Sequence, residues 1–179
     1  MQLRPATLAD IPALAALGRE SFTHAFGHLY RPEDLVAFLA EAHDEANVAA
    51  EVAGDECRHR LAADDGGRLI GFCKLRFPSK FAGHSAARAP LELAQLYCAA
   101  DATGKGVGAA LMEWALAEAE AGAHDAIHLS VYSENFGAQR FYARYGFAKI
   151  ADVHFKVGEQ LDAEFLLEKP LHPGADLPS

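Results

Sequence analysis

The sequence is short of several features that would mark particular classes of protein. Cysteine is one: Cys57, Cys73 and Cys98 are the only three in 179 residues, an odd number with no C-x-x-C pair. They exclude a disulfide framework and read as buried thiols in a reducing compartment. No apolar run approaches the roughly 20 residues that a membrane span requires. The opening MQLRPATLAD has neither a basic nor an apolar leader segment, so a cytoplasmic protein with no membrane partner is expected. Positive charge is scarce and dispersed. Lys and Arg number 16 against 25 Asp and Glu, giving a formal net charge of −9, with no basic cluster. That balance argues against nucleic acid and suits a cationic small partner. The nine histidines are scattered and no H-E-x-x-H occurs. His24 with His28, the i, i+4 pair, suits helix packing better than a metal, so no metal site is expected.

What is present is enough for one domain with a real core: 51% of the residues are hydrophobic and 23% charged. Residues 2–5 form a strand candidate, and Thr7 with Asp10 resembles a capping box that opens a helix near Leu8. Ile11, Leu14, Leu17, Phe22 and Phe26 give that helix an apolar face, and Gly27 ends it. Pro32, followed by Glu33 and Asp34, starts a second helix, and Asp44 caps a third through Val52. The period then changes. Arg58–Ala63 and Leu69–Phe77 flank Asp64-Asp65-Gly66-Gly67, which reads as a β-hairpin. Residues 78–90, rich in small residues, read as a flexible surface loop over an acceptor site. Leu91–Cys98 is a strand, Gly106–Ala121 a helix closed by Gly122, and Ala126–Tyr132 a strand. A helix over Asn135–Tyr145 ends at Gly146, and strands over 147–157 and 161–169 follow. One mixed α/β domain over residues 1–171 is expected, with a disordered tail at 172–179.

The stretch ATGKGVGAALM, Ala102–Met112, carries Gly104, Gly106 and Gly108 between a strand and a helix. Glycines let a backbone approach a ligand closely, and a helix start offers unpaired amides with positive dipole character. A phosphate or pyrophosphate is the expected guest, although such turns also begin ordinary helices. Gly104, Gly106 and Ala109 satisfy G-x-G-x-x-A formally. A dinucleotide fold is nonetheless disfavoured, because the loop lies late in the chain and Asp125 precedes the next strand instead of ending it. A Walker loop fails because Lys105 is not followed by Ser or Thr.

A second segment, VYSENFGAQRFYARYGF, places Asn135 and Tyr142 two helical turns apart on one face. Together the two stretches closely resemble the central motifs of the GCN5-related N-acetyltransferase superfamily, and the resemblance covers nearly the whole chain. At FTHAFGHLYRPEDLVAFL and HFKVGEQLDAEFLLEKPL the sequence looks in particular like the bacterial spermidine/spermine acetyltransferase branch. One departure is Thr103, where the family's loop usually begins with Gln or Arg.

The resemblance implies a mixed, mostly antiparallel twisted sheet of about six to seven strands, with helices on both faces and strands splayed at an acetyl-CoA cleft. It also implies direct acetyl transfer to a primary amine, polyamines first, with protein amines, amine antibiotics or a non-catalytic acyl-CoA-binding role as alternatives. The pantetheine arm of acetyl-CoA would pair with the backbone of Leu96, Tyr97 and Cys98. The amides from Gly104 through Lys105, Gly106, Val107 and Gly108 to Ala109 would meet the pyrophosphate. Lys105 serves as a charge near phosphate or as a solvated loop lysine. Asn135 would hydrogen-bond the arm and cap its helix. Tyr142 is the candidate general acid for the departing thiolate. Glu92 is the candidate base, acting directly or through water, or else an exposed residue at a strand start. Gln95 stands where the branch often has a second acid. Cys98 is better explained by packing than by nucleophilic use. Candidate acceptor-lining residues are Phe22, Phe26, His28, Tyr30, the 78–90 loop, Phe155 and Glu159. Family members often form dimers, which leaves a homodimer open.

Overall fold

Residues 1–171 are described by the computed structural model, so the tail expectation at 172–179 lies outside the described residues. Seven strands form one sheet in the order β1-β2-β3-β4-β5-β7-β6. They are β1 (Gln2–Pro5), β2 (Cys57–Ala63), β3 (Leu69–Arg76), β4 (Leu91–Cys98), β5 (Ala126–Tyr132), β6 (Ala148–Val157) and β7 (Gln160–Pro170). Every pairing is antiparallel except β4 with β5, and that parallel ladder is short: Leu91 pairs with Ile127 and Glu92 with His128. The break has a local cause. On β4 Ala94 is an extra residue, because Lys74 of β3 faces Gln95 and Leu75 faces Leu93. A bulge of this kind bends its strand and raises its twist. Beyond Glu92, β4 therefore leaves β5, and one edge of its backbone is free.

Alternation along the strands sends side chains to two cores. Leu61 and Phe72 pack against Ile11, Leu14, Leu17 and Val48, which belong to α1 (Ile11–Phe26) and α3 (Glu45–Ala53). On the opposite face Ala62, Cys73, Ile127, Leu129 and Val131 pack with Leu111, Met112 and Ala115 of α4 (Val107–Ala121), beside α5 (Phe136–Arg144). Each fully buried Leu, Ile or Phe in these layers contributes about 1.5–3 kcal/mol relative to exposure. The element between, α2 (Pro32–Ala42), opens with Pro at its first turn and lies near β6.

The helix starts form as their sequences dictate. Asp10 accepts from the Thr7 amide at 2.8 Å and from both Arg4 Nη atoms at 2.7 and 2.8 Å. The capping expectation holds with one refinement: Leu8–Asp10 is a 3-10 turn that leads into α1. Asp44 accepts from the Ala46 and Asn47 amides at the start of α3.

The flexible-loop expectation for residues 78–90 is corrected. The segment includes a 3-10 turn at Ala82–His84 and is tied down by buried polar contacts. Ser79 Oγ lies 2.9 Å from His128 Nδ1, and His128 Nε2 lies 2.9 Å from Glu168. Ser85 also donates to Glu168, and Asp125 accepts from the Arg88 and Ala89 amides at 2.6 and 2.9 Å. The small residues in the loop let the backbone lie close to the sheet, where composition alone suggested freedom. Cys73 is buried as expected, but Cys57 and Cys98 are only half-buried, because each stands near a strand end.

Candidate functional site

A cleft of about 410 Å³ opens where β4 and β5 part. One half is built from the free edge of β4, Leu96 to Cys98, with Thr103 and the inward residues Asn135, Ala138, Phe141 and Tyr142 of the α5 segment. The other half is aromatic and acidic: Phe22, Phe26 and Tyr30 come from α1 and the turn after it, Phe155 from β6, and Asp162 and Glu164 from β7. The bulge that parts the strands thus creates the space and also exposes β4 amides to it.

At the first half, the glycine loop adopts two left-handed conformations, Gly104 at φ 77° and Gly106 at φ 83°. Gly106 is the N-cap of α4. A Cβ on either would meet nothing within 4 Å, so these glycines are required by backbone conformation and the space above them is open. Gly108 differs. It lies in the first turn of α4, and a Cβ there would sit 3.8 Å from both Cys98 Sγ and Phe141 Cζ, two cleft-lining side chains. A left-handed cap followed by free helix amides fits an anionic phosphate group. Lys105 is exposed beside the loop. Thr103 spends its hydroxyl on the Ala99 carbonyl at 3.3 Å.

Asn135 Oδ1 accepts from the Ala138 amide at 3.1 Å, so it caps α5, and its NH₂ remains as the donor toward the cleft it lines. Tyr142 packs edge-on against Phe141 and Phe147, with ring centroids 5.4 and 5.9 Å away. Burial, reinforced by the nearby Cys73 and Tyr97, pushes its phenol well above the ordinary tyrosine value, so it holds its proton.

Glu92 is not where the sequence suggested. Its side chain is 2% exposed and it does not line the cleft. Its carboxylate accepts from the Lys80 amide at 3.2 Å and lies 3.4 Å from Arg76 Nη1 and 3.6 Å from Lys80 Nζ. The parallel pairing with His128 forces this burial, since Glu92 precedes the point where the strands separate. The carboxylates that line the cleft are Asp162 and Glu164, which the sequence reading passed over. Period-2 spacing on a strand opposite aromatic residues was the available signal. Tyr30 donates to one Asp162 oxygen, and Gln160 Nε2 to the other at 2.7 Å. Burial pushes the Glu164 pKa up; the Ser130 hydroxyl and Lys80 oppose that shift and Asp162 adds to it. Of the other expected acceptor residues, Phe22, Phe26, Tyr30 and Phe155 line the cleft, whereas His28, Glu159 and the 78–90 loop do not.

A split sheet with a left-handed glycine cap at one end of the cleft and an aromatic, acidic pocket at the other defines an acyl-CoA-dependent N-acetyltransferase. The acetyltransferase (GNAT) family profile matches residues 19–147, and the chain belongs to that family. Its donor is acetyl-CoA. An uncharacterised N-acetyltransferase of Mycobacterium tuberculosis is 29% identical over 164 residues, covering 92% of this chain and 99% of that protein. Another, from the pepI 3′ region of Lactobacillus delbrueckii subsp. lactis, is 27% identical over 162 residues, covering 90% and 92%. Among solved structures, PaiA N-acetyltransferase from Thermoplasma acidophilum in complex with coenzyme A aligns with a TM-score of 0.78 at 21% identity, covering 95% of this chain and 98% of that one. Arabidopsis thaliana NAA60 in complex with a bisubstrate analogue aligns at 0.74 and 17% identity, covering 97% and 99%. These two likenesses are likenesses of fold.

Proposed function

We propose that the protein transfers acetyl directly from acetyl-CoA to a primary amine of a small molecule, polyamines being the first candidates. The observation that carries this reading is the composition of the far half of the cleft: Phe22, Phe26, Tyr30 and Phe155 surround two carboxylates, and among the described residues no Lys or Arg lines it. Aromatic faces and carboxylates attract an ammonium group, and an acidic protein draws cations toward the cleft. In this reading the free β4 edge at Leu96–Cys98 pairs with the amide-rich arm of acetyl-CoA as an added strand. The amides from Gly104 to Ala109 hold its pyrophosphate, with Lys105 alongside, and Asn135 donates to the arm. Backbone N–H groups at the bulge stabilise the charge that develops on the carbonyl oxygen as the amine bonds to carbon. Tyr142 gives its proton to the departing sulfur.

No covalent acetyl-enzyme is needed. Burial pushes the Cys98 thiol above its ordinary pKa, the wrong direction for a nucleophile. Incubation with acetyl-CoA and a panel of spermidine, spermine, a free N-terminal peptide and an aminoglycoside, read by mass spectrometry, tests the acceptor. Acetylated spermidine or spermine is the expected product. Acetylation confined to the peptide or the antibiotic overturns the small-amine or polyamine assignment respectively. No product from any amine favours a binding module.

A further inference from the structure

We propose that Glu164 is the catalytic base that takes the proton from the acceptor ammonium, with Asp162 fixed beside it by Tyr30 and Gln160 as a positioning charge. The inference rests on the direct-transfer reading above. It follows first from elimination among the described residues. The titratable side chains lining the cleft are Tyr30, Tyr97, Cys98, Tyr132, Tyr142, Asp162 and Glu164. Phenols and thiols ordinarily keep their protons at neutral pH, and their surroundings here strengthen that hold, whereas a carboxyl group ordinarily does not. Both Asp162 oxygens already accept from neutral donors, Tyr30 and Gln160. Glu164 is the remaining carboxyl group.

Its position suits the task. Glu164 pairs with Tyr132 of β5 on one side and Val153 of β6 on the other. It therefore lies on the arm of the split sheet that faces the β4 bulge across the cleft. Asp162, two residues earlier, projects from the same face and pairs with Phe155, one of the aromatic walls. An ammonium entering between Phe22, Tyr30 and Phe155 thus meets Asp162 and then Glu164.

The titratable and polar groups around Glu164 can be named from each side. Asp162 lies on its own strand, Ser130 and Tyr132 are on β5, Tyr30 is in the turn after α1, Lys80 is in the anchored loop, Tyr97 is on β4 and Tyr142 is on α5. Burial and Asp162 raise its affinity, while Lys80 and Ser130 restrain it. A base with raised affinity is closer to the ammonium it must deprotonate. The protons balance as follows. One leaves nitrogen for Glu164 and then solvent. A second, lost as the C–N bond forms and sulfur departs, replaces the proton Tyr142 gives to sulfur. The third stays on the amide.

Two measurements test the assignment, one independent of turnover. In enzyme bearing ¹³C-carboxyl glutamate and saturated with CoA, the resonance absent from both Glu164→Gln and Glu164→Asp is expected to titrate above the ordinary glutamate range and to shift when propylamine is added. Ordinary titration with no response to propylamine overturns the proposal. In steady-state kinetics with spermidine and with propylamine, Glu164→Gln is expected to lower kcat about 100-fold or more, with KM changed only a few-fold. The deficit should shrink by about tenfold per pH unit toward the amine's own pKa near 10.4, where solution supplies the free base. A merely structural role gives the same deficit at every pH and overturns the proposal. Asp162→Asn is expected to move the acid limb of kcat/KM to lower pH. If the wild type acetylates neither amine, the acceptor reading fails, and the resonance titration still decides for or against Glu164.

Discussion

Replacing Gly106 by alanine separates the two energies stored in the glycine loop. Gly106 sits at φ 83°, ψ 0° as the N-cap of α4, and a Cβ there would touch nothing within 4 Å. Packing therefore contributes nothing to the change. The penalty is the left-handed conformation itself, about 1–2 kcal/mol for an L-residue. That energy has two destinations. If Gly106→Ala keeps the native turn, the folded state carries the strain and Tm falls by about 2–4 °C per kcal/mol for a chain of this size, with CoA affinity unchanged. If the loop relaxes, stability is preserved and binding must restore the turn, weakening Kd by about 5–30-fold. The two losses should sum to about 1–2 kcal/mol. Thermal unfolding and calorimetric CoA titration of the same samples measure both. Gly108→Ala is the counterpart: in a helical first turn the methyl improves propensity, so Tm should hold or rise while the added group, 3.8 Å from Cys98 and Phe141, crowds the CoA path. Gly106→Ala with neither loss refutes the argument that conformation, not contact, selects this glycine.

Tyr142→Phe should lower kcat by about tenfold or more and leave CoA affinity within a few-fold; an unaltered kcat in single-turnover assays removes its role as acid. Glu92→Ala should destabilise the fold by about 3 kcal/mol in urea unfolding, because Arg76 and the Lys80 amide lose a buried partner, and should leave the pH profile of kcat/KM in place. An intact fold with a lost acid limb would restore Glu92 as the base. Burial, helped by Lys74 and Arg19, holds the His43 pKa down to about 4, below its ordinary 6.5. The unfolded chain therefore binds this proton first. The stabilisation is fully present above pH 6.5 and is lost as pH falls toward 4, up to about 3 kcal/mol. His43→Leu should flatten that part of the stability curve, measured by urea unfolding at stepped pH; an unchanged slope refutes the assignment.

The half of the cleft beside the glycine loop was legible in the sequence because its parts are local. A glycine turn, a helix N-cap and two side chains two turns apart on α5 are each specified within a few residues, and Asn135 caps α5 as its position suggested. Strand and helix bounds followed period and capping for the same reason: Asp44, Pro32 and Gly122 mark ends where they stand. The splaying of the strands was expected from family resemblance, but the bulge at Ala94 that produces it was not, since nothing in Leu93-Ala94-Gln95 announces it.

The aromatic and acidic half could not be read in the same way, because its residues meet only through tertiary structure. Tyr30 and Asp162 are 132 positions apart, and neither carries a local signal of the other. The misreading of Glu92 shows what decides such cases. Both Glu92 and Glu164 are carboxylates on strands that border the split, and by sequence Glu92 has the better claim because its strand is the one that leads into the glycine loop. Register reverses the order. Glu92 falls on the last parallel pair, opposite His128, where two strands and the anchored 78–90 loop enclose it with Arg76 and Lys80. Glu164 falls opposite Tyr132, past the separation, where no strand covers it. Removing the extra residue of the bulge would exchange every β4 side chain on one side of it between the two faces. The bulge therefore sets where the strands part and which carboxylate faces the cleft.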